Sequence, residues 1–180
     1  MEIFGNSSII KNQTNSQLLI LKWIRENTYK SVTNVELIFK MSKDGNSCEK
    51  FHERCDSKGS TLVIVETSNK KIFGGYTPIN WDTKKGYISD GSFQTFIFSL
   101  NLNKKYDMIK KNGCAICCNP TLGPVFGKDD FGLGKNLKEG FTYAEKNSNF
   151  LLENNLELID EKGSKGKFVC KELEVYKLRF

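Results

Sequence analysis

Three groupings of side chains in this sequence have the residue types that chemistry needs. Cys48-x3-His52-x2-Cys55 places two thiols and the chain's single histidine in one short stretch, a donor set superficially like that of a zinc site. Only three ligands are offered and no paired cysteine knuckle accompanies them, so the spacing predicts a half-buried, hydrogen-bonded histidine. Asp56, four residues on, is within reach of its ring and would fix the tautomer. Cys114-x-x-Cys117 invites a redox or zinc reading. On a strand, however, Cys114 and Cys117 point to opposite faces, whereas Cys114 and Cys118 share one. A reactive thiol would also need a nearby cation or helix N-terminus. Glu172 and Glu174 close the set. Strict alternation puts both on one face with Phe168, Tyr176, Leu178 and Phe180, a partly apolar setting in which a carboxylate must find partners.

Motifs for nucleotide or acyl chemistry fail on inspection. Asp130-Phe131-Gly132 spells a protein-kinase triplet without the glycine-rich loop, strand lysine or catalytic loop that give it meaning. Gly132-Leu133-Gly134-Lys135 and Gly163-Ser164-Lys165-Gly166-Lys167 lack the phosphate-loop spacing and the hydroxyl residue after lysine. No Gly-x-Ser-x-Gly elbow occurs. No catalytic residue, metal or cofactor is expected.

These side chains sit on a chain of 180 residues, one domain by length, which buries roughly 70% of its unfolded surface. Thirteen phenylalanines supply a core without disulfides. The net charge of +6 is carried almost entirely by lysine, with arginine only at positions 25, 54 and 179. Scattered lysine pairs suit a solvated surface that keeps sheet edges apart. They argue against specific nucleic-acid binding, which favours arginine. No signal peptide or membrane-spanning run is read, so the six cysteines are expected reduced, in a cytoplasmic monomer.

Residues 1–15 are polar and without period and read as a mobile tail, with Ile3/Phe4 and Ile9/Ile10 available to dock; residues 16–180 form the domain. Ser16 looks like an N-cap for a helix with Leu18, Ile20, Leu21, Trp23 and Ile24 at helical spacing. A strand is expected over 35–41 with Leu37 and Phe39 on one side. After the Asp44-Gly45 turn comes a helix capped by Asn46 or Ser47, with Cys48, Phe51 and Cys55 inward. Thr61–Thr67 and Lys71–Thr77 read as a hairpin, with the left-handed position at Asn69. Gly74 and Gly75 inside its second strand imply that something presses on that backbone. The stretch 79–92 around Trp81 and Tyr87 reads as a surface loop. Phe96, Phe98 and Leu100 share one strand face, and Asn112-Gly113 is the strongest hairpin signal in the chain, joining 106–110 to 114–118. Residues 136–155 read as a long ordered loop, and 168–180 as the closing strand. Many short strands with few helices indicate an α+β fold, mainly antiparallel.

Several blocks occur in a recognisable order: DGNS at 44–47, FHERCD at 51–56, KGSTL at 58–62, IFGGYT at 72–77, FIFSL at 96–100, GPVFG at 123–127 and ELEVYKL at 172–178. Together they resemble the TLDc domain, from about Ser16 to the last residue, and without an appended module the chain looks like a stand-alone member. The resemblance implies a two-sheet β-sandwich flanked by helices. It also implies a non-catalytic protein-interaction module associated with oxidative-stress resistance, whose partner is the peripheral sector of the vacuolar proton ATPase. Through that partner the protein would sit at vacuolar or endolysosomal membranes. By motif position the candidate interaction residues are Asp44, Gly45, His52, Asp56, Gly74, Gly75 and Glu174. The alternative is a thiol-based peroxide scavenger or redox sensor using Cys48, Cys55, Cys114, Cys117 and Cys118.

Overall fold

Two antiparallel sheets share one long strand, and the inter-sheet core lies in the fork between them. The computed structural model describes residues 3–143, 148–152, 158–159 and 166–180. In chain order the elements are α1 (Thr14–Thr28), β1 (Asn34–Lys40), α2 (Met41–Asp44), α3 (Cys48–Cys55), β2 (Thr61–Thr67), β3 (Ile72–Thr77) and β4 (Gly86–Ser89). Then follow β5 (Phe96–Ser99), β6 (Lys104–Asp107), β7 (Cys114–Cys118), β8 (Val125–Phe126), β9 (Phe131–Leu133), β10 (Glu139–Phe141) and β11 (Lys167–Arg179). The first sheet runs β1-β11-β2-β3-β5-β6 and the second β4-β7-β8-β9-β10, joined to the first half of β11. The α+β class and the antiparallel sandwich expected from the sequence are what the chain forms.

Alternation decides what each face of the first sheet covers. Val63, Val65, Phe73, Ile97, Leu173 and Val175 point into the inter-sheet core with Trp81, Phe126 and Phe131 from the second sheet's side. Leu62, Ile64, Tyr76, Phe96, Phe98, Tyr176 and Leu178 point outward and are covered by α1, through Ile20, Trp23 and Ile24. Both faces of β2 are thus buried, which its unbroken run of β-branched and apolar residues anticipates. Among the described helices none is long and apolar enough to cross a membrane.

The structure departs from simple alternation at two bulges. Pairing of β1 with β11 slips between Leu37 and Phe39, so Leu37 opposes outward Tyr176 while Phe39 opposes inward Val175. The two side chains expected on one side therefore serve opposite cores. A second slip between Cys170 and Glu172 turns Phe168 and Cys170 inward with Leu173 and Val175, separating Phe168 from the face of Glu174. Here β11 leaves one sheet for the other. The Asn112-Gly113 turn is likewise no hairpin: β6 pairs with β5 and β7 with β4 and β8, so the turn carries the chain between sheets.

Other differences are local. Helix α1 starts at Thr14 with no side-chain cap, because Ser16 Oγ donates to the Gln13 side chain instead, and Leu18 faces solvent. Lys70, rather than Asn69, takes the left-handed conformation in the β2–β3 turn. The 79–92 stretch contains β4 and buries Trp81 completely, its Nε1 donating to Thr61 Oγ1 at 2.9 Å. β10 lies within the expected 136–155 loop, of which 144–147 and 153–155 fall outside the described residues, as does Gly163-Ser164-Lys165 of the glycine-lysine motif.

Candidate functional site

Four of the seven motif residues gather around α3. Ser47 caps it, accepting from Lys50 N at 3.4 Å, and its apolar stripe of Cys48, Phe51 and Cys55 drops into the core. That orientation leaves His52 on the border, 8% exposed, as the helical spacing predicts. Its Nδ1 stands 2.8 Å from Asp56 Oδ1, and its Nε2 donates to the carbonyls of Asn119 and Leu122 at 3.1 and 3.0 Å. All three neighbours are acceptors, so both ring nitrogens lie within hydrogen-bonding distance of an oxygen. The other Asp56 oxygen accepts from Thr83 N at 3.3 Å. Asp44 ties α2 to its surroundings, accepting from Lys40 N at 2.8 Å and from Arg54 Nη2 at 3.0 Å. Gly45 ends α2 at φ +107°, a conformation that favours glycine.

Gly74 and Gly75 lie elsewhere, at the centre of the first sheet. A side chain at Gly74 would run into the Val63 carbonyl and the Phe98 ring, and one at Gly75 would come within 2.6 Å of the Phe126 ring. The element that presses on this backbone is therefore a pair of aromatic rings, one on each face.

Glu174 is on the outer face of the same sheet and fully buried. Its carboxylate accepts from Ser7 Oγ (2.6 Å), Ser8 N (2.7 Å), Ser8 Oγ (3.0 Å) and Tyr176 Oη (2.7 Å), with Lys40 Nζ at 3.3 Å. Lys40 thus connects the Asp44 group, through its backbone, with Glu174, through its ammonium. The Ser7 and Ser8 donors come from residues 3–13, part of the stretch the sequence suggests is a mobile tail. Here it lies on the sheet with Phe4, Ile9 and Ile10 buried, Phe4 edge-on to Tyr176. Glu172 shares that face with Glu174, as expected, and accepts from Ser42 N at 3.1 Å.

Burial is the first cause of a raised pKa at every cysteine. It pushes Cys114 and Cys170 up to about 12 and Cys118 to about 11, with Cys48, Cys55 and Cys117 also raised. All six are free thiols. Raised values withhold the thiolate that reacts with peroxide. No group of three or more metal-type ligands occurs among the described residues.

Two buried aspartates lie outside the family blocks, although Asp130 opens the kinase-like triplet. Asp90 collects Ser92 N and Oγ, Gln94 N, and Thr95 N and Oγ1. Asp130 accepts from Ser148 Oγ and from Asn149 N and Nδ2. The only hint at Asp90 is the Asp-Gly-Ser turn composition. A cleft of about 490 Å³ beside β10 and the start of β11, lined by Lys138, Phe141, Tyr143, Phe168 and Val169 among others, involves none of the motif residues.

The arrangement is one of satisfied carboxylates and a satisfied imidazole at the joints between elements. Comparison with known proteins places it. The chain is 23% identical over 153 residues, 81% of its length, to TBC1 domain family member 24 of Xenopus tropicalis. It is 28% identical over 107 residues, 53% of its length, to the GTPase-activating protein skywalker of Drosophila melanogaster. It spans only 26% and 18% of those proteins. The TLDc domain model matches residues 3–179, and the chain belongs to the TLDc family.

Proposed function

We propose that this chain is a non-catalytic protein-interaction module that contributes to resistance against oxidative stress by binding and regulating the vacuolar proton ATPase. The carrying observation is the TLDc match over residues 3–179. The burial and full hydrogen bonding of Glu174, and the three acceptors around His52, support a scaffold that presents a surface rather than a reacting centre. The raised cysteine pKa values weigh against the peroxide-scavenging alternative.

In this reading the protein is a cytoplasmic monomer that reaches endolysosomal membranes through the pump's peripheral sector. The test is direct binding of the purified chain to that purified sector, with and without nucleotide. Saturable binding is expected. A folded chain that fails to bind under either condition rules the reading out. The same assay on His52→Ala and Glu174→Ala, corrected for the fraction folded, separates the roles of these residues. Loss in proportion to unfolding assigns them to the fold, and loss beyond it to the interface.

A further inference from the structure

Four large apolar side chains stand exposed around one corner of the molecule: Tyr29 (91%), Leu151 (66%), Ile109 (51%) and Phe93 (38%). They come from four separate segments that converge on Asp107. The Asn27 side chain, two residues before Tyr29, donates to Asp107 Oδ1 at 2.9 Å and reaches the carbonyl of Gln94, next to Phe93. Leu151 N donates to the Asp107 carbonyl at 3.0 Å and Ile109 N to the Asn149 carbonyl at 2.9 Å. This short antiparallel pairing turns Met108 and Phe150 into the core and Ile109 and Leu151 outward.

Two of the four are held out against their own backbone preference. Tyr29 ends α1 at φ +57° and Phe93 sits at φ +56°, where a bulky L side chain costs about 1–2 kcal/mol and glycine or asparagine is usual. Phe93 is kept there by the buried Asp90 carboxylate, which gathers the donors of Ser92, Gln94 and Thr95 and wraps the turn around itself.

Charge selects the partner. Lys30 follows Tyr29 directly, Lys111 lies two residues past Ile109, and both are exposed. Among the described residues, Asp107 and Glu26 are already matched: Lys105 reaches Asp107 at 2.9 Å and Glu26 at 3.9 Å, and Lys22 reaches Glu26 at 3.9 Å. The apolar tips stand on separate segments, with exposed lysines close to Tyr29 and Ile109 in sequence. They suit shallow insertion beneath anionic headgroups with the ammonium groups left at the surface. We propose that this corner docks the protein directly on an anionic lipid surface, independently of any ATPase contact.

Sedimentation of the purified chain with vesicles tests it, and because no ATPase is present its outcome is separable from that of the pump reading. Binding is expected to vesicles of phosphatidylcholine containing roughly 30% phosphatidylserine, and to be much weaker with phosphatidylcholine alone. The combined variant Tyr29→Ser, Ile109→Ser, Leu151→Ser should keep the wild-type melting temperature, since these side chains are exposed, and partition about 10-fold more weakly or worse. Lys30→Gln and Lys111→Gln should each weaken binding about 5-fold. The proposal is overturned if the folded wild type stays in the supernatant, binds both vesicle types equally, or is matched by the serine variant. A concentration-dependent dimer abolished by the serine variant would also overturn it, assigning the corner to a second copy of the chain.

Discussion

Asp90 and Asp130 are both 2% exposed, yet burial leaves them with opposite titration behaviour. Burial by itself raises Asp90, but the donors of Ser92 and Thr95 outweigh it and hold the carboxyl below its ordinary value. At Asp130 burial prevails over Ser148 and Asn149, and the carboxyl is raised. The linkage signs therefore differ. Asp90, with its folded value depressed, adds stability that is present above the unfolded value of about 3.9 and is lost as pH falls through the folded one. Asp130, with its folded value raised, favours the fold while protonated, and stability is lost as pH rises from about 3.9 through the folded value. Denaturant titrations between about pH 3 and 7 should show Asp90→Asn flattening the acid limb of the stability curve. Asp130→Asn should steepen the rise of stability with pH relative to wild type. Parallel curves for wild type and both variants would remove this assignment. The burial of neither residue could be read from the sequence. The i,i+4 pairing of His52 with Asp56 was readable because α3 carries the first and its C-cap is the second. The carbonyls of Asn119 and Leu122 were not, because only the fold brings β7 and its following turn to α3.

At the scale of elements, periodicity conveyed most of what the chain does. The β2–β3 hairpin and the division of Phe96 and Phe98 from Ile97 follow from alternation, and the inward stripe of α3 from helical spacing. What it missed were the places where one residue is added, near Ile38 and Lys171, since a bulge reverses every later side chain without changing composition. Asn112-Gly113 misled because a local turn signal carries no information about which strands later pair. Gly74 and Gly75 show the converse: two strand glycines correctly implied pressure on the backbone, although which rings supply it required the structure. Phe126, which faces Gly75, is itself wedged between Phe131 at 5.0 Å and Trp81 at 5.7 Å between ring centroids and has little room to yield. Gly75→Ala should therefore cost about 1–3 kcal/mol by overpacking. Gly74→Ala should cost more, because its obstacle includes the rigid Val63 carbonyl. Chemical denaturation measures both. Adding Phe126→Leu to Gly75→Ala should cost less than the sum of the two single changes; strict additivity would place the pressure elsewhere.

Across the whole molecule, the hydrogen bonds of widest sequence separation among the described residues join residues 7–8 to Glu174, 166 to 167 positions apart. Ser7 also accepts from Ile9 N and Ile10 N, shaping the turn that presses Ile10 onto the sheet's outer face. The first residues are thereby part of the outer core, and a carboxylate that would be untenable there without partners becomes the segment's anchor. Removing only the donors should be worse than removing both sides, since a buried charge left without partners costs more than an apolar replacement. Deletion of residues 1–10 should lower stability by at least about 3 kcal/mol, read from chemical denaturation. In the intact chain Glu174→Leu should also destabilise, because Ser7, Ser8, Tyr176 and Lys40 lose their acceptor. In the shortened chain the same substitution should cost far less or restore stability, as it then eliminates a charge whose serine partners are gone. An equal cost of Glu174→Leu in both backgrounds would mean that the N-terminal segment and Glu174 are not coupled, and that the segment is held by Phe4, Ile9 and Ile10 alone.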